Sequence, residues 1–532
     1  MSLVCFGHPQ LDPVTQKAYT LPILNPFDRH GRVFFFAWFS FLISFLSWYS
    51  MSALLTVTIR QDLLLTDGEV LNSNIVAQVA SLLVRLFAGF LCERFGPRKV
   101  LCAILVASAL PCGLAGTITG PTGLYFIRFF MGIAGGSFVP AQVWVTAHFD
   151  KRVLGTSTAC AAGWGDSGVG FTYFLMPAVF ESFLDHHNHD ARVAWRLAFL
   201  VPTVLLLSVS AACWLLCEDT PTGPWHARPL PRPDGSYSSA SEPPQGTEKG
   251  VRAQPSCTRS RNSSVTVLDV NILACKSDKD PQTRARVVPA IESRRGSETS
   301  CAQNATSSSS FQSSSKIPLK TGLQDVCCLP TFLLASMYFA TFGTSLVVNS
   351  FLVQWYLAKF PAWDEGKAGH WAAMCGLLNI ISRPFGGLVA DEIYRRAIER
   401  SSWHGLKAKQ IWLCLLCGLQ GMFALWISQV DPSSMATLLG GVAGFAFFMQ
   451  AANGACYALL PHVNPHVNGL MGGIVGSSGS LGGITYSLVY RFSSIPKTLL
   501  VTGASSIALA MLVCAVNPVP KKERQTSTTS PV

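Results

Sequence analysis

Long apolar stretches recur so regularly along this chain that they dictate its class of fold. A helix that crosses a bilayer needs about 20 predominantly apolar residues, because lipid offers its backbone no hydrogen-bonding partner. Twelve such stretches are read, at roughly 33–57, 72–92, 99–119, 122–146, 155–183, 194–217, 329–357, 369–390, 410–430, 434–460, 468–491 and 497–516. Overall the chain is 49% hydrophobic and only 13% charged. A soluble domain does not need so many unbroken apolar segments. The expected fold is therefore an all-α membrane protein of twelve transmembrane helices. A polar leader containing Pro and Asp precedes the first stretch, so no signal peptide is expected there.

Charge supplies the orientation. Basic residues gather at Arg94, Arg98 and Lys99, at Lys151 and Arg152, at Arg395, Arg396 and Arg400, and at Lys521, Lys522 and Arg524. Counting spans in order puts all four groups on one side. Short loops rich in Lys and Arg stay cytosolic, which places both termini inside. The formal net charge of +11 is thus a topology signal, and nucleic acid is not an expected partner; the lipid bilayer is.

Residues 218–325 break the pattern. They are rich in Ser, Pro, Arg and Thr and poor in large apolar residues, too poor to offset the entropy of ordering. The expected organisation is a cytosolic segment at 1–32, a six-helix bundle at 33–217, a disordered cytosolic loop at 218–325, a second six-helix bundle at 326–516 and a cytosolic tail at 517–532. Asn262 and Asn304 match the glycosylation pattern but fall on the wrong side of the membrane for it. Ser297 follows Arg294 and Arg295, a pattern many kinases prefer, and is a candidate phosphorylation site.

One motif occurs in both halves. Arg85-x-Phe87-x-Gly89-x-x-x-Glu93 in the second span is matched by Arg383-x-Phe385-x-Gly387-x-x-x-Asp391 in the eighth. A cation in hydrocarbon costs about 2.5 kcal/mol or more, so it faces a polar interior or has something to bind. Two at matching places suggest a paired cationic site for an anion. The blander alternative is snorkelling, or pairing with Glu93 or Asp391. Within one helix Glu93 lies about 12 Å along the axis from Arg85, too far for a direct pair. A second repeat joins the first. The fifth span carries Gly163-Trp164-Gly165-Asp166-Ser167-Gly168-Val169-Gly170, and the eleventh carries Gly476-Ser477-Ser478-Gly479-Ser480-Leu481-Gly482-Gly483. Glycines let membrane helices approach closely. Here they also offer a smooth face beside a small ligand. Two six-span halves related by an internal repeat describe a two-bundle transporter.

Other chemistries find little support. The seventeen cysteines are unpatterned, and many, such as Cys92, Cys160, Cys213 and Cys456, fall inside spans as small packing residues. Cys414 and Cys417 form a CxxC within an apolar helix, again as packing. His186, His187 and His189 read as a solvated loop rather than a metal site. No nucleophile–base constellation, metal spacing or P-loop is found, so neither an enzyme nor a cofactor is expected.

Gly89-x-x-x-Glu93-Arg94-x-Gly96-x-Arg98-Lys99 resembles the loop signature of the major facilitator superfamily, and the stretch from Arg128 to Gly132 resembles another of its signatures. More closely, the chain resembles the nitrate/nitrite porter family in its fungal and algal form. The likeness runs through LNPFDRHGRVFFFAWFSFLISFLSWY, RFFMGIAGGSFVPAQVW, AAGWGDSGVGFTYFLMP, AWRLAFLVP, CEDTPTGPW, HWAAMCGLLNIISRPFGG and AANGACYALLPHVNPHVNG. It implies a secondary transporter of nitrate, nitrite or both, coupled to protons or working by exchange, in the plasma membrane. Its substrate arginines correspond to Arg85 and Arg383. Tyr338 and Phe342 of the seventh span join them, with Gly165, Gly168, Gly479 and Ser480 in the two nitrate signatures. The gating loop motif maps to Gly89, Glu93, Arg94, Gly96 and Arg98, and to Gly387 and Asp391. Arg128 occupies a superfamily-wide position and is expected to be structural.

Three positions depart from the family. Asp166 and Ser480 stand where the signatures usually have Asn, and Ser345 stands where fungal members often carry Glu. Asp166 is a candidate for the cotransported proton: protonated, it becomes a hydrogen-bond donor to the anion. Its alternative role is to pair with an arginine or cap a kink near Pro177. Nitrate and guanidinium are both flat, and the guanidinium fork matches an oxyanion's geometry. Two alternatives to nitrate import remain, namely the same fold adapted to another small anion such as formate, and a nitrate-sensing receptor built on a transporter fold.

Overall fold

The computed structural model describes residues 3–4, 7–13, 15–23, 25–151, 153–185, 190–225, 326–398, 402–430, 434–463 and 467–516. Arg152, His186, His187, His189, Asn262, Ser297, Asn304, Arg400 and the tail from 517 lie outside them. The described residues belong to one compact unit.

Ten described helices are long and apolar enough to cross a membrane: Arg29–Leu55, Asp67–Phe95, Pro97–Thr117, Pro121–His148, Ala191–Leu216, Leu329–Lys359, Glu365–Ala397, His404–Val430, Met435–Val463 and Ile495–Ala515. The expected fifth and eleventh spans complete the set of twelve but differ in character. The fifth is two helices, Leu154–Asp166 and Gly168–Asp185, meeting at Ser167. The eleventh, Asn468–Phe492, is unbroken. Both carry the glycine–serine stretches, which dilute their hydropathy. Their neighbours cover those stretches, as the burial of Gly163, Gly165, Gly476 and Gly479 records.

Local chemistry sets the ends. Thr66 and Glu69 form a reciprocal capping box at the start of the second span, satisfying two otherwise unpaired donors. Asp28 caps the first span by accepting from the His30 and Gly31 amides. Gly96 turns the chain between the second and third spans at φ +94°, a conformation glycine adopts without strain. Pro97 then opens the third helix.

Layering follows burial. In the first and seventh spans 78% of the most apolar stretch is buried inside the protein, against 33% in the sixth and 39% in the twelfth. The former pair is therefore interior and the latter peripheral. The large apolar residues Val204, Leu207, Leu215, Met511 and Leu512 on the peripheral pair are exposed, as lipid-facing residues should be. Matching burial at matching places in the two halves agrees with the internal repeat.

Both supposed cytosolic flanks hold more structure than composition suggests. Residues 218–225 open the expected disordered loop, yet they are tied down. Arg98 Nε lies 2.9 Å from Asp219 Oδ1, and the Trp144 and Trp225 indoles donate to the Glu218 and Glu93 carbonyls at 3.0 Å. Loop composition misses this because the anchors are a few residues clasped by distant spans. The leader is likewise pinned, with Ala18 exchanging backbone hydrogen bonds with His148 and Asp150.

The halves meet through crossed helix pairs, the second span against the eleventh and the eighth against the fifth. Gly89 and Gly387 occupy matching places at these crossings. A Cβ on Gly89 would stand 2.5 Å from the Gly469 carbonyl oxygen, and one on Gly387 would press on Ala159 and Gly155. Backbones that close leave no room for a side chain. Gly89→Val and Gly387→Val are each expected to lower stability by about 1–3 kcal/mol. Thermal unfolding of detergent-purified protein checks this, and a Tm equal to wild type contradicts it.

Candidate functional site

Arg85 and Arg383 are both buried, 0% and 1% exposed, at matching depths of the second and eighth spans. Snorkelling is excluded, since neither side chain reaches an interface. Arg85 Nε donates to the Gly135 carbonyl at 2.8 Å and Nη1 to the Gly476 carbonyl at 3.0 Å. Its Nη2 is buried without a partner. Arg383 Nε donates to Gln450 Oε1 at 3.3 Å and Nη1 to the Ala162 carbonyl at 3.4 Å. Each guanidinium thus touches elements from both halves of the chain.

Phe342 is close to both. The Arg85 and Arg383 Cζ atoms are 4.6 and 5.8 Å from its ring centroid, within reach of favourable cation–π attraction. Tyr338 stacks on Phe342 at 5.0 Å and 4°, and Phe138 is parallel to Tyr338 at 6.3 Å. Tyr457 closes the cluster edge-on, 5.1 Å from Tyr338. The hydroxyls of Tyr338 and Tyr457 are buried without partners. Tyr457 Oη and Arg85 Cδ both border Gly476, each 3.6 Å from where a Cβ would stand. Unpaired buried donors of this kind are costly, and here they gather around one aromatic column.

Asp166 is buried beside Arg383, 3% exposed. Its Oδ2 lies 3.0 Å from Arg383 Nη2, though not in hydrogen-bonding alignment. The two arginines are therefore unequal: Arg383 has a carboxylate at ion-pair distance, and Arg85 has none that close among the described residues.

The remaining expected site residues separate into groups. Gly479 packs on the Tyr338 and Phe342 rings, with a hypothetical Cβ at 2.7 and 2.9 Å, so it belongs to the site. Ser480 Oγ is 3.4 Å from Ser81 Oγ across the half-to-half contact. Gly165 and Gly168 face elsewhere, against the Phe41 ring and the Leu42 carbonyl of the first span. They allow close packing and do not join the arginines. Ser345 Oγ accepts from Gln450 Nε2 at 3.1 Å, one step behind Arg383. Phe138, Tyr457 and Gln450 were not expected from sequence. All three sit in apolar runs where nothing marks one side chain as lining a site.

The loop-motif residues form a pair of latches at one end of the spans. Glu93 Oε1 accepts the Gly469 amide at 2.9 Å, at the start of the eleventh span. Asp391 Oδ2 accepts the Thr156 amide at 2.7 Å and its hydroxyl at 3.0 Å, at the start of the fifth. In each, a carboxylate of one half satisfies free amides at a helix N-terminus of the other, where the helix dipole favours it. Arg98 holds Asp219, Cζ of Arg94 lies 5.3 Å from the Phe95 ring, and Gly96 makes the turn. Asp391 also binds Lys409 Nζ at 2.9 Å, fully buried. Lys409 carried no signal in the sequence because it sits near a basic loop.

The profile of the Major Facilitator Superfamily matches residues 37–487. Elsinochrome transporter 1 of Elsinoe fawcettii is 28% identical, covering 96% of this chain and 98% of its own. High affinity nitrate transporter 2.5 of Arabidopsis thaliana is 24% identical over 94% of this chain and 82% of its own. The nitrate/nitrite transporter NrtP of Nostoc punctiforme is 25% identical over 92% of each.

Removing one member of a buried ion pair leaves an uncompensated charge, at about 3–5 kcal/mol. Asp391→Ala is expected to destabilise the protein by that amount, and Asp391→Leu with Lys409→Met to recover most of it. Thermal unfolding of the three proteins checks this; a double variant no better than Asp391→Ala contradicts it.

Proposed function

The chain belongs to the Major Facilitator Superfamily, and from that premise we propose that it is a secondary transporter importing nitrate, nitrite or both together with protons. The anion is held between Arg85 and Arg383 while the two bundles alternate in access. The membrane is the plasma membrane, with both termini cytosolic.

The observation that carries this reading is the set of unpaired buried donors around Phe342: Arg85 Nη2 and the Tyr338 and Tyr457 hydroxyls. A flat oxyanion accepts hydrogen bonds at every oxygen and carries the counter-charge that a buried guanidinium needs. Two like charges about 8 Å apart repel by about 2 kcal/mol at an effective dielectric of about 20. An anion between them removes that repulsion and draws its two holders together. Binding is thereby tied to bundle closure, since only an affinity that differs between states shifts a conformational equilibrium. Similarity to nitrate transporters over nearly the whole chain supports the choice of anion.

Asp166 supplies the proton step. As a carboxylate it occupies Arg383 and competes with the incoming anion. Protonation releases Arg383 and turns Asp166 into a donor, so anion and proton enter together. A second reading, transport of another small anion such as formate, is favoured by this same Asp166, which stands where the nitrate signatures carry Asn.

Labelled-anion uptake comparing nitrate, nitrite and formate, in cells without their own carriers, decides between the readings. Saturable nitrate uptake is expected; its absence in protein at the cell surface contradicts the nitrate reading. Arg85→Lys and Arg383→Lys keep the charge but lose the fork, and each should reduce nitrate kcat/KM at least tenfold, about 1.4 kcal/mol. Asp166→Asn should abolish the rise of uptake at acid pH while sparing anion exchange. Undiminished proton coupling in that variant contradicts the role given to Asp166.

A further inference from the structure

Arg128 is a third buried arginine, 2% exposed, and the clamp does not use it. Its Nη2 donates to Asn74 Oδ1 and to Ser52 Oγ. Its Nε and Nη1 are buried with no partner, and no carboxylate pairs with it among the described residues. A structural arginine would have its donors spent. This one presents two of them, and its full charge, where they are costly to leave bare.

Arg128 lines a cavity. Arg128, Asn74, Gln78 and Tyr49 line it from the N-terminal half, and Leu346 and Ser350 of the seventh span line it from the C-terminal half. It therefore lies on the boundary that opens and closes as the halves move. Arg128 is about two turns inside the fourth span from the start at Pro121. That is the end opposite the Glu93 and Asp391 latches, so the cavity lies between the clamp and the outer face.

A polar stripe joins the cavity to the clamp. Asn74, Gln78, Ser81 and Arg85 recur at helical spacing along one face of the second span, and all four are buried. At 1.5 Å per residue the stripe covers about 16 Å. Gln78 Nε2 donates to Ser487 Oγ at 3.3 Å, and Ser81 Oγ meets Ser480 Oγ at 3.4 Å. Both bonds cross between the halves and would part when the outer side opens, exposing a file of hydrogen-bonding groups.

We propose that the cavity at Arg128 is a second anion site, an outer station that takes the same small monovalent oxyanion before it passes along this stripe to the clamp. The proposal rests on the transport reading above and adds a sided consequence to it. The station serves anions arriving from outside. Those arriving from the cytosol reach the clamp first.

The test uses full-length protein in proteoliposomes of known orientation, with labelled nitrate offered to one face at a time. Arg128→Gln is expected to raise the KM of the outer face at least tenfold and to leave that of the cytosolic face within twofold. Arg128→Lys, which keeps the charge, should fall between. Ser350→Asp adds a negative charge to the cavity without altering Arg128, so it tests the same site if Arg128→Gln fails to fold. It too should raise the outer KM alone. A purely structural role predicts equal effects on both faces, or a loss of rate with KM unchanged, and either result overturns the station. Wild-type protein that carries no nitrate overturns the transport reading and the station together, which separates the two failures.

Discussion

Two guanidinium groups share one phenylalanine ring in the interior of a membrane protein, and the rest of the architecture serves that arrangement. Neither charge reaches water. Each is held by main-chain carbonyls and by the face of Phe342. Carbonyl dipoles and an aromatic quadrupole lower the cost of a cation without neutralising it. Arg383 also has the Asp166 carboxylate 3.0 Å away, whereas Arg85 has no carboxylate at ion-pair distance among the described residues and keeps a charge that is not offset. Because the second and eighth spans come from opposite halves, anything that bridges the arginines also bridges the halves.

The same design recurs at the ends of the second and eighth spans, with the sign reversed. There Glu93 and Asp391 reach across to helix N-termini that present free amides. Both contacts join one half to the other, so they hold only while these ends of the two halves are together. Glycines at the crossings make the approach possible. The buried arginines and the latches sit on the same two helices, about two turns apart, so a tilt of either span moves both at once.

Much of this was legible beforehand. Twelve apolar runs, the sidedness of Arg and Lys, and the doubled Arg-x-Phe-x-Gly pattern led to the fold and to Arg85 and Arg383. Tyr338 and Phe342 came through the family likeness. Asp166 was visible as a charge inside a glycine stretch, with pairing to an arginine among its alternatives, and the pair is with Arg383. What stayed hidden depends on tertiary neighbours. Phe138 and Tyr457 are ordinary aromatics in apolar helices until the spans assemble. Gly165 and Gly168 share a motif with Asp166, yet helical rotation turns them to the first span. That Arg128 keeps two buried donors unpaired was also hidden, because its neighbours in sequence say nothing about which of its donors are satisfied. Residues 218–225 looked like loop because their anchors are tryptophans and an arginine far away in the chain.

Asp166 adds a third buried charge beside the two arginines, and under the proposed transport an incoming anion competes with it for Arg383. A density map of the full-length protein in lipid with nitrate present tests the central claim most directly. The account predicts flat density at the edge of Phe342, within hydrogen-bonding distance of Arg85 Nη2 and of the Arg383 guanidinium. Nitrate bound elsewhere, with both arginines and Phe342 arranged as they are without it, would contradict the account.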